Sequence, residues 1–281
     1  IEQEEYCFDV EFSNDELPDP TMRFLTEEKY LNPKLYKNLH ITTSDDLVMI
    51  AHYLKAEKPT HKYVLLLHGY RGYAYEWSSM IKLLHDNGYN VITVDERAHG
   101  DSQGKYFTMG YLEAKDGLLW VDHIIELDPS AQIIVYGHSM GAHIAMLMAS
   151  NNLPLNVRGF IEDCGYNNVH EELLHAAKNI YKYPLSNIFV PIGELFSKIF
   201  YKYRVTDCAN VLNKCYVPMC FIHCCDDRFV PFKNLDIVYN AAKNCEKERH
   251  EFKGAGHCSG EFSETKRYHQ IILNFIEKHT K

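Results

Sequence analysis

The sequence predicts an α/β fold built on a mostly parallel central sheet with helices on both faces. From about residue 40 onward, short strand-like apolar runs alternate with stretches of helical periodicity. Most of these runs are apolar at nearly every position, as expected of strands that are covered on both faces. A chain of 281 residues is long enough to bury the large core that such a fold requires.

The elements follow from their own patterns, taken in chain order. The segment LHITTSDDLVMIAHYL predicts two strands joined by a Ser-Asp-Asp turn. Further strands are predicted at KYVLLLHG, YNVITVDE, QIIVYG, VRGFIEDC, VPMCFIHC and RHEFKG. Helices are predicted at EWSSMIKLLHDNG, at LEAKDGLLWVDHIIEL, after Met140, near Leu235–Ala242 and around Tyr268–Ile276. We therefore predict one α/β domain over residues 40–281, preceded by an acidic, tyrosine-rich N-terminal arm over residues 1–39.

Residues 165–214 interrupt this alternation, because they contain no strand signal. Two apolar stripes at helical spacing occupy the segment. They consist of Val169, Leu173, Ala177 and Ile180, and of Ile192, Leu195, Phe196, Ile199, Phe200 and Tyr203. Such stripes can pack on the core or lie over the carboxyl ends of the strands, where ligands bind in α/β sheets. We expect the second arrangement, a helical cap insertion over residues 165–214 that gates a site.

Composition and charge argue against several classes of partner. The net charge of −9 disfavours nucleic-acid binding and a basic membrane-surface patch. No apolar run reaches the roughly 18 residues of a membrane span, so membrane contact is not indicated. The nine cysteines show no disulfide framework, which favours free thiols and a cytoplasmic location. Because the sequence begins with Ile rather than Met, an upstream signal or anchor stays an open alternative.

The segment VYGHSMGAH predicts a nucleophilic serine at Ser139. Gly137 and Gly141 flank it at two residues on either side, which gives Gly-x-Ser-x-Gly between a predicted strand and a predicted helix. The two glycines allow strand and helix to approach closely through a strained turn, a nucleophile elbow. The serine then lies at the sheet edge, where the N-terminus of the following helix adds positive potential.

A serine nucleophile needs a base and an acid that orients the base, and both follow in the required chain order. HCCDDRFVP follows a predicted strand and offers Asp226 and Asp227. GAGHC precedes the last predicted helix and offers His257 in a glycine-rich loop. The sequence thus predicts a catalytic triad of Ser139, one of two neighbouring aspartates, and His257.

Four motifs in this order resemble those of the α/β-hydrolase superfamily, in its lipase/esterase-like branch with a helical cap. They are HGYRG, ERAHGDS, GHSMG, and HCCDDRFVP followed by GAGH, and the resemblance runs from about residue 40 to 281. The family pattern His-Gly-x-x-Asp-x-x-Val-Pro, laid on residues 223–231, implies Asp227 as the acid. Some relatives place the acid after the preceding strand, which makes Asp163 an alternative. Cys224 and Ala98 stand where the family usually has glycine, and this affects loop shape without removing a catalytic group.

The resemblance also implies an oxyanion hole and a reaction. In the family two backbone N–H groups bind the oxyanion, and here they belong to Tyr70 and Met140. The implied function is a serine hydrolase that cleaves carboxylic esters of small molecules through an acyl-enzyme, without a cofactor. The apolar cap stripe, with Tyr70, Trp77 and Met140 nearby, indicates an apolar acyl or alcohol group and favours short- to medium-chain or aryl esters, with monoacylglycerols among them.

The same residues are compatible with two other functions. The first alternative is a peptidase or amidase that uses the same triad. The second is a hydrolase-fold receptor that binds a small molecule and has only vestigial turnover. No metal site is expected from spacing, because His170 and His175 in HEELLH are five residues apart and do not share a helix face.

Overall fold

The computed structural model describes residues 22–201 and 206–281, which contain one eight-stranded sheet. The strands are β1 (Lys37–Thr42), β2 (Val48–Leu54), β3 (Lys62–Leu67), β4 (Asn90–Val94), β5 (Gln132–His138), β6 (Val157–Asp163), β7 (Met219–Cys224) and β8 (Lys247–Phe252). Their order across the sheet is β1-β2-β4-β3-β5-β6-β7-β8. Strand β2 pairs antiparallel with β1 and β4, and all other neighbours are parallel. The predicted mostly parallel sheet is confirmed.

Helices cover both faces of this sheet. They are α1 (Ser78–Asp86), α2 (Glu113–Leu127), α3 (Met140–Ala149), α4 (Val169–His175), α5 (Ser186–Tyr201), α6 (Cys208–Val211), α7 (Lys233–Ala241), α8 (Gly260–Ser263) and α9 (Thr265–His279). Helices α2, α3 and α7 contribute to the core on one face, and α1 and α9 contribute to the core on the other. Among the described residues, no helix has both the length and the apolar character needed to cross a bilayer.

The near-continuous apolar strands are explained by these two cores. In β5, Ile133 and Val135 pack in the core beside α3, whereas Ile134 and Tyr136 pack in the core beside α9. Successive side chains of a strand point to opposite faces, so both sets must be apolar when both faces are covered. The strand sequence is therefore apolar at each position and does not alternate with polar residues.

Parallel pairing gathers the site-bearing loops at one edge of the sheet. Strands β5, β6, β7 and β8 are successive parallel neighbours, so their carboxyl ends lie side by side. Ser139 follows β5, Asp227 follows β7 and His257 follows β8. Residues that are 118 positions apart in the chain thereby come within hydrogen-bonding distance.

The described residues between β6 and β7 form helices joined by short turns and contain no strand, but the second predicted stripe does not pack on the core. Val169 at the start of α4 is buried, and α4 continues as one π-helical turn over Ala176–Ile180. Along α5, the side chains of the stripe are 45–62% exposed; they are Ile192, Leu195, Phe196 and Ile199. For these residues, packing on the core is ruled out. Tyr203 and the Phe200 side chain lie outside the described residues.

The carboxyl end of the predicted 165–214 insertion belongs to the main core. Cys208 in α6 and Leu212 in the following 3-10 turn are fully buried in the core beside α3 and α7. From there the chain enters β7 at the edge opposite to the site, as the parallel pairing of β6 and β7 requires. Val169 and Leu173 of α4 also join this core, so the exposed apolar stripe of the insertion is confined to α5.

Of the predicted N-terminal arm, residues 1–21 lie outside the described residues. The remainder packs on the face that carries α1 and α9, where Tyr30 is buried and its hydroxyl donates to Asp86 at 3.1 Å. The Arg23 amide donates to Ser259 Oγ at 2.6 Å. The arm also ends earlier than expected, because β1 begins at Lys37.

Candidate active site

Ser139 occupies a strained turn between β5 and α3. Its φ of 53° and ψ of −115° lie in a region that L-residues rarely adopt, at a cost on the order of 1–3 kcal/mol. A Cβ on Gly137 would overlap the Gly141 carbonyl, and a Cβ on Gly141 would overlap the Leu67 carbonyl. The Ser139 amide donates to Asp163 O at 2.8 Å, which ties the turn to β6. The two glycines are thus required by close backbone approach.

The three predicted triad side chains form one continuous hydrogen-bonded chain. His257 Nε2 lies 2.8 Å from Ser139 Oγ, and His257 Nδ1 lies 2.7 Å from Asp227 Oδ2. The other oxygen, Asp227 Oδ1, accepts the backbone N–H groups of Phe229 at 2.9 Å and Val230 at 2.7 Å. These bonds fix the carboxylate in a buried position. The geometry is that of a nucleophile, a base and an orienting acid, whose catalytic roles stay predictions.

The charge of the carboxylate controls the imidazole. Burial disfavours the imidazolium form, but the negative charge and the hydrogen bond of Asp227 outweigh burial and raise the pKa of His257 well above its usual value. Asp227 accepts from Nδ1, so Nδ1 carries the proton and Nε2 of the neutral ring is left as an acceptor toward Ser139. This is the tautomer that a general base needs.

Neither alternative acid occupies an equivalent position. The Asp226 side chain is exposed, and its amide donates to Ala255 O at 3.1 Å. Asp163 Oδ2 accepts the hydroxyl of Tyr268 at 2.5 Å, and burial raises the pKa of Asp163 well above its usual value. Its carboxyl bonds to Tyr268, whereas the carboxylate of Asp227 bonds to His257 Nδ1 at 2.7 Å. The geometry therefore favours Asp227.

The two predicted oxyanion donors flank the nucleophile. Met140 is the first residue of α3, so its N–H is one of the donors that a helix N-terminus leaves without an intrahelical partner. Tyr70 follows Gly69, whose backbone passes so close to the elbow that a Cβ there would lie 3.5 Å from Ser139 Cβ. Both residues line the cleft that contains Ser139.

Buried histidines hold the loop that carries Tyr70. His68 Nε2 accepts the Glu96 amide at 3.0 Å, so Nδ1 carries the proton and donates to Gly69 O at 2.7 Å. On the opposite side, Glu76 Oε1 accepts the Gly69 amide at 3.2 Å, and His138 Nε2 donates to the same oxygen at 3.0 Å. Both backbone groups of Gly69 are therefore occupied, which fixes the amide that follows.

Two adjoining cavities lie above the nucleophile. A cleft of about 80 Å³ contains Ser139, and a larger cavity of about 760 Å³ lies between the 106–109 loop and the segment that carries α4 and α5. The larger cavity does not reach Ser139 itself. The residues that line both are Met109, Leu173, Ala176 and Tyr181. The predicted stripe residue Leu173 thus separates the nucleophile from an apolar chamber.

Trp77 does not belong to this substrate region, contrary to expectation. It is buried in the core beside α1, with its ring centroid 4.7 Å from that of Tyr136 and 3.7 Å from that of His138. The expectation was wrong because Trp77 directly precedes α1, which packs on the sheet face away from α3.

Glu172 is a cleft residue that the sequence did not single out. It lies on α4, lines the cleft with Ser139, and is buried with Oε1 lacking a hydrogen-bond partner among the described residues. Burial raises the pKa of Glu172 to about 8. In HEELLH it resembles the acidic residues that commonly begin helices, so nothing local marks it as a cleft residue.

The fold and this site define a serine-type α/β hydrolase. The model of the family described as serine aminopeptidase, S33, matches residues 58–210, which is more than half of the chain. The chain belongs to this family.

Sequence relatives are similar over most of the chain. The uncharacterized protein YqkD of Bacillus subtilis is 27% identical over 229 residues, covering 80% of this chain and 74% of the relative. The lysophosphatidylserine lipase ABHD12 of Danio rerio is 26% identical over 198 residues, covering 68% of this chain. The aligned region spans 50% of that lipase.

Solved structures share the fold. The esterase Pf2001 of Pyrococcus furiosus superposes with a TM-score of 0.72 at 25% identity, covering 88% of this chain and 92% of that chain. The acylaminoacyl peptidase of Pyrococcus horikoshii superposes with a TM-score of 0.68 at 18% identity, covering 88% of this chain and 42% of that chain. At that identity the peptidase shows a common fold alone.

Proposed function

We propose that this chain hydrolyses carboxylic esters of small molecules through an acyl-enzyme, with Ser139, His257 and Asp227 as catalytic residues. The observation that carries the proposal is the continuous hydrogen-bonded chain from Asp227 through His257 to Ser139 Oγ. Its position in a cleft beside an apolar cavity supports a substrate with an apolar group.

Acylation begins when Ser139 Oγ attacks the ester carbonyl carbon while His257 Nε2 takes the hydroxyl proton. Asp227 keeps the second ring proton on Nδ1 and stabilises the imidazolium as it forms. The N–H groups of Tyr70 and Met140 donate to the carbonyl oxygen as it becomes an oxyanion, and losing one such donor costs about 3 kcal/mol.

The tetrahedral intermediate collapses when His257 delivers its proton to the leaving alcohol oxygen. Water then attacks the acyl-enzyme with His257 again as base, and this step releases the acid and restores Ser139. The overall reaction converts ester and water into acid and alcohol, so the proposed chemistry uses neither a cofactor nor a metal ion.

The cavity supports short- to medium-chain or aryl esters as substrates, with monoacylglycerols among them. Its volume of about 760 Å³ lies within the range of roughly 300–1,000 Å³ of small-molecule sites. The esterase and the lipase among the similar proteins support ester chemistry. The family description, serine aminopeptidase, supports amide hydrolysis as the competing activity.

Matched substrates separate these two activities. The same acyl groups, from acetyl to dodecanoyl, are offered as p-nitrophenyl esters and as p-nitroanilides, together with aminoacyl anilides. We expect a higher kcat/KM for the ester of every pair and an optimum above acetyl, with Ser139→Ala as the control. A higher kcat/KM for the aminoacyl anilides would identify a peptidase instead.

Gly193 offers a direct test of the cavity. It lies on α5 and lines the larger cavity, and an added Cβ would meet no atom within 4 Å. We expect Gly193→Phe to occupy part of the chamber and to lower kcat/KM for the longest acyl esters while acetate esters are unaffected. Gly193→Ala is the matched control, and equal losses for acetyl and dodecanoyl esters would place the acyl group elsewhere.

A further inference from the structure

Three buried thiols lie directly beside the proposed triad. Cys164 follows β6, Cys224 ends β7, and Cys258 follows His257. The sulfur atoms of Cys164 and Cys258 lie within 4.8 Å of each other. The proposed hydrolytic mechanism uses none of these sulfur atoms, and all eight cysteines within the described residues are free thiols.

The loops that carry these thiols are held together by backbone hydrogen bonds. The Cys164 amide donates to Ile222 O of β7 at 2.9 Å, and the Asp226 amide donates to Ala255 O at 3.1 Å. These bonds hold the loops side by side at the sheet edge, so small side-chain movements are enough to bring the sulfur atoms closer together.

Two of the thiols and the imidazole have a geometry close to that of a metal site. Cys164 Sγ, Cys258 Sγ and a ring nitrogen of His257 lie within 4.8 Å of one another. In a tetrahedral zinc site the ligand atoms are about 3.6–3.8 Å apart, given bonds of about 2.3 Å to sulfur and 2.0–2.1 Å to nitrogen. A closure of at most about 1 Å between any two of these atoms therefore converts the observed cluster into three ligands.

The donor set selects a soft ion. Thiolates and imidazole prefer Zn²⁺ or Cd²⁺ to Mg²⁺ or Ca²⁺, which take oxygen ligands. The two negative charges of the thiolates cancel the charge of a divalent cation, and the neutral imidazole adds none. The buried complex therefore carries no net charge and avoids a large desolvation cost. Binding releases the protons of the two thiols to solvent.

We propose that Cys164, Cys258 and His257 form an inhibitory site for a soft divalent metal ion such as Zn²⁺. Both ring nitrogens of His257 are committed to the triad, one at 2.7 Å from Asp227 and the other at 2.8 Å from Ser139. Coordination at either nitrogen breaks one of these bonds and removes the base. The metal ion takes no part in hydrolysis, and only the inhibitory half of this inference rests on the proposed function.

Metal binding is tested without reference to activity. The reduced protein is titrated with Cd²⁺, and the ultraviolet thiolate-to-cadmium charge-transfer band is recorded, with Zn²⁺ as competitor. We expect a saturable site in wild type and in Ser139→Ala. Cys164→Ala and Cys258→Ala each remove a direct metal ligand and should lower the affinity for Cd²⁺. We expect each loss to exceed the roughly 10- to 100-fold loss that follows when a residue behind a ligand is removed. Cys245→Ala is the matched control, because Cys245 contacts Cys215 away from the triad.

Inhibition is measured on the same variants by labelling of the active serine with a fluorophosphonate. Zn²⁺ should suppress labelling of wild type over the concentration range in which it displaces Cd²⁺, and a chelator should restore it. Cys164→Ala and Cys258→Ala should stay labelled at those concentrations. Equal suppression in wild type and both variants, or a charge-transfer band that neither substitution changes, would overturn the inference. Cd²⁺ binding in an unlabelled protein would refute the proposed function alone.

Discussion

Asp227→Asn is the most informative single substitution, because the hydrogen bonds of the carboxylate determine its outcome. Asp227 Oδ1 lies between the amide donors of Phe229 and Val230, so the asparagine oxygen must occupy that position. The asparagine NH₂ group then faces His257 Nδ1, where Oδ2 stood 2.7 Å away. Two donors cannot face each other, so the imidazole is driven to the tautomer with its proton on Nε2.

That tautomer donates to Ser139 and cannot accept its proton. A serine protease with the same tautomer change loses about 10⁴ in kcat, which corresponds to about 5 kcal/mol of transition-state stabilisation. We therefore expect Asp227→Asn to lower kcat for an aryl ester by about 10⁴-fold, with folding checked by circular dichroism.

Asp163→Asn is the matched control. The Asp163 carboxyl accepts from the Tyr268 hydroxyl and not from His257, and an asparagine oxygen can accept the same hydrogen bond. We expect kcat to change by less than about tenfold, the equivalent of one ordinary hydrogen bond. A severe loss in Asp163→Asn with a mild one in Asp227→Asn would show that the acid has been misassigned.

Three further outcomes follow from the same contacts. Because His257 must be neutral to act as base and its pKa is raised, kcat/KM should rise with pH through a midpoint above 6.5, and a lower midpoint would contradict this. The pKa of Glu172 is about 8 in the folded protein and near 4.5 in the unfolded chain. The carboxyl therefore makes its full contribution to the free energy of unfolding below pH 4.5, and this contribution is lost as the pH rises toward 8. Glu172→Gln should therefore unfold at a higher temperature than wild type at pH 8 but not at pH 4, and equal shifts would refute the burial argument. Gly141→Ala should lower the unfolding temperature, whereas Gly193→Ala, which meets open space, should raise it slightly.

The elements and the nucleophile could be predicted because their signals are local. Ser139 lies between two glycines at a strand–helix junction, and each strand is apolar over consecutive residues. His257 could be located by its glycine-rich loop before the last helix. The choice of Asp227 over Asp226 needed the family pattern, since both side chains follow the same strand.

Other features depend on contacts that no local pattern contains. The stripe of α5 predicts an apolar face, but periodicity does not say what that face meets, and Ile199 is largely exposed. Cys164 and Cys258 come together only because β6 lies two strands away from β8 across the sheet edge. Glu172 lines the cleft because α4 follows β6 at the edge that carries Ser139.

Activation of Ser139 is the central claim, and a fluorophosphonate probe tests it without a choice of substrate. The purified chain and its Ser139→Ala variant are treated in parallel, and covalent labelling is followed by intact mass. We predict stoichiometric labelling of wild type and none of the variant. A folded, metal-free wild type that stays unlabelled would contradict the assignment of an active serine hydrolase and would favour a receptor that binds a small molecule without turning it over.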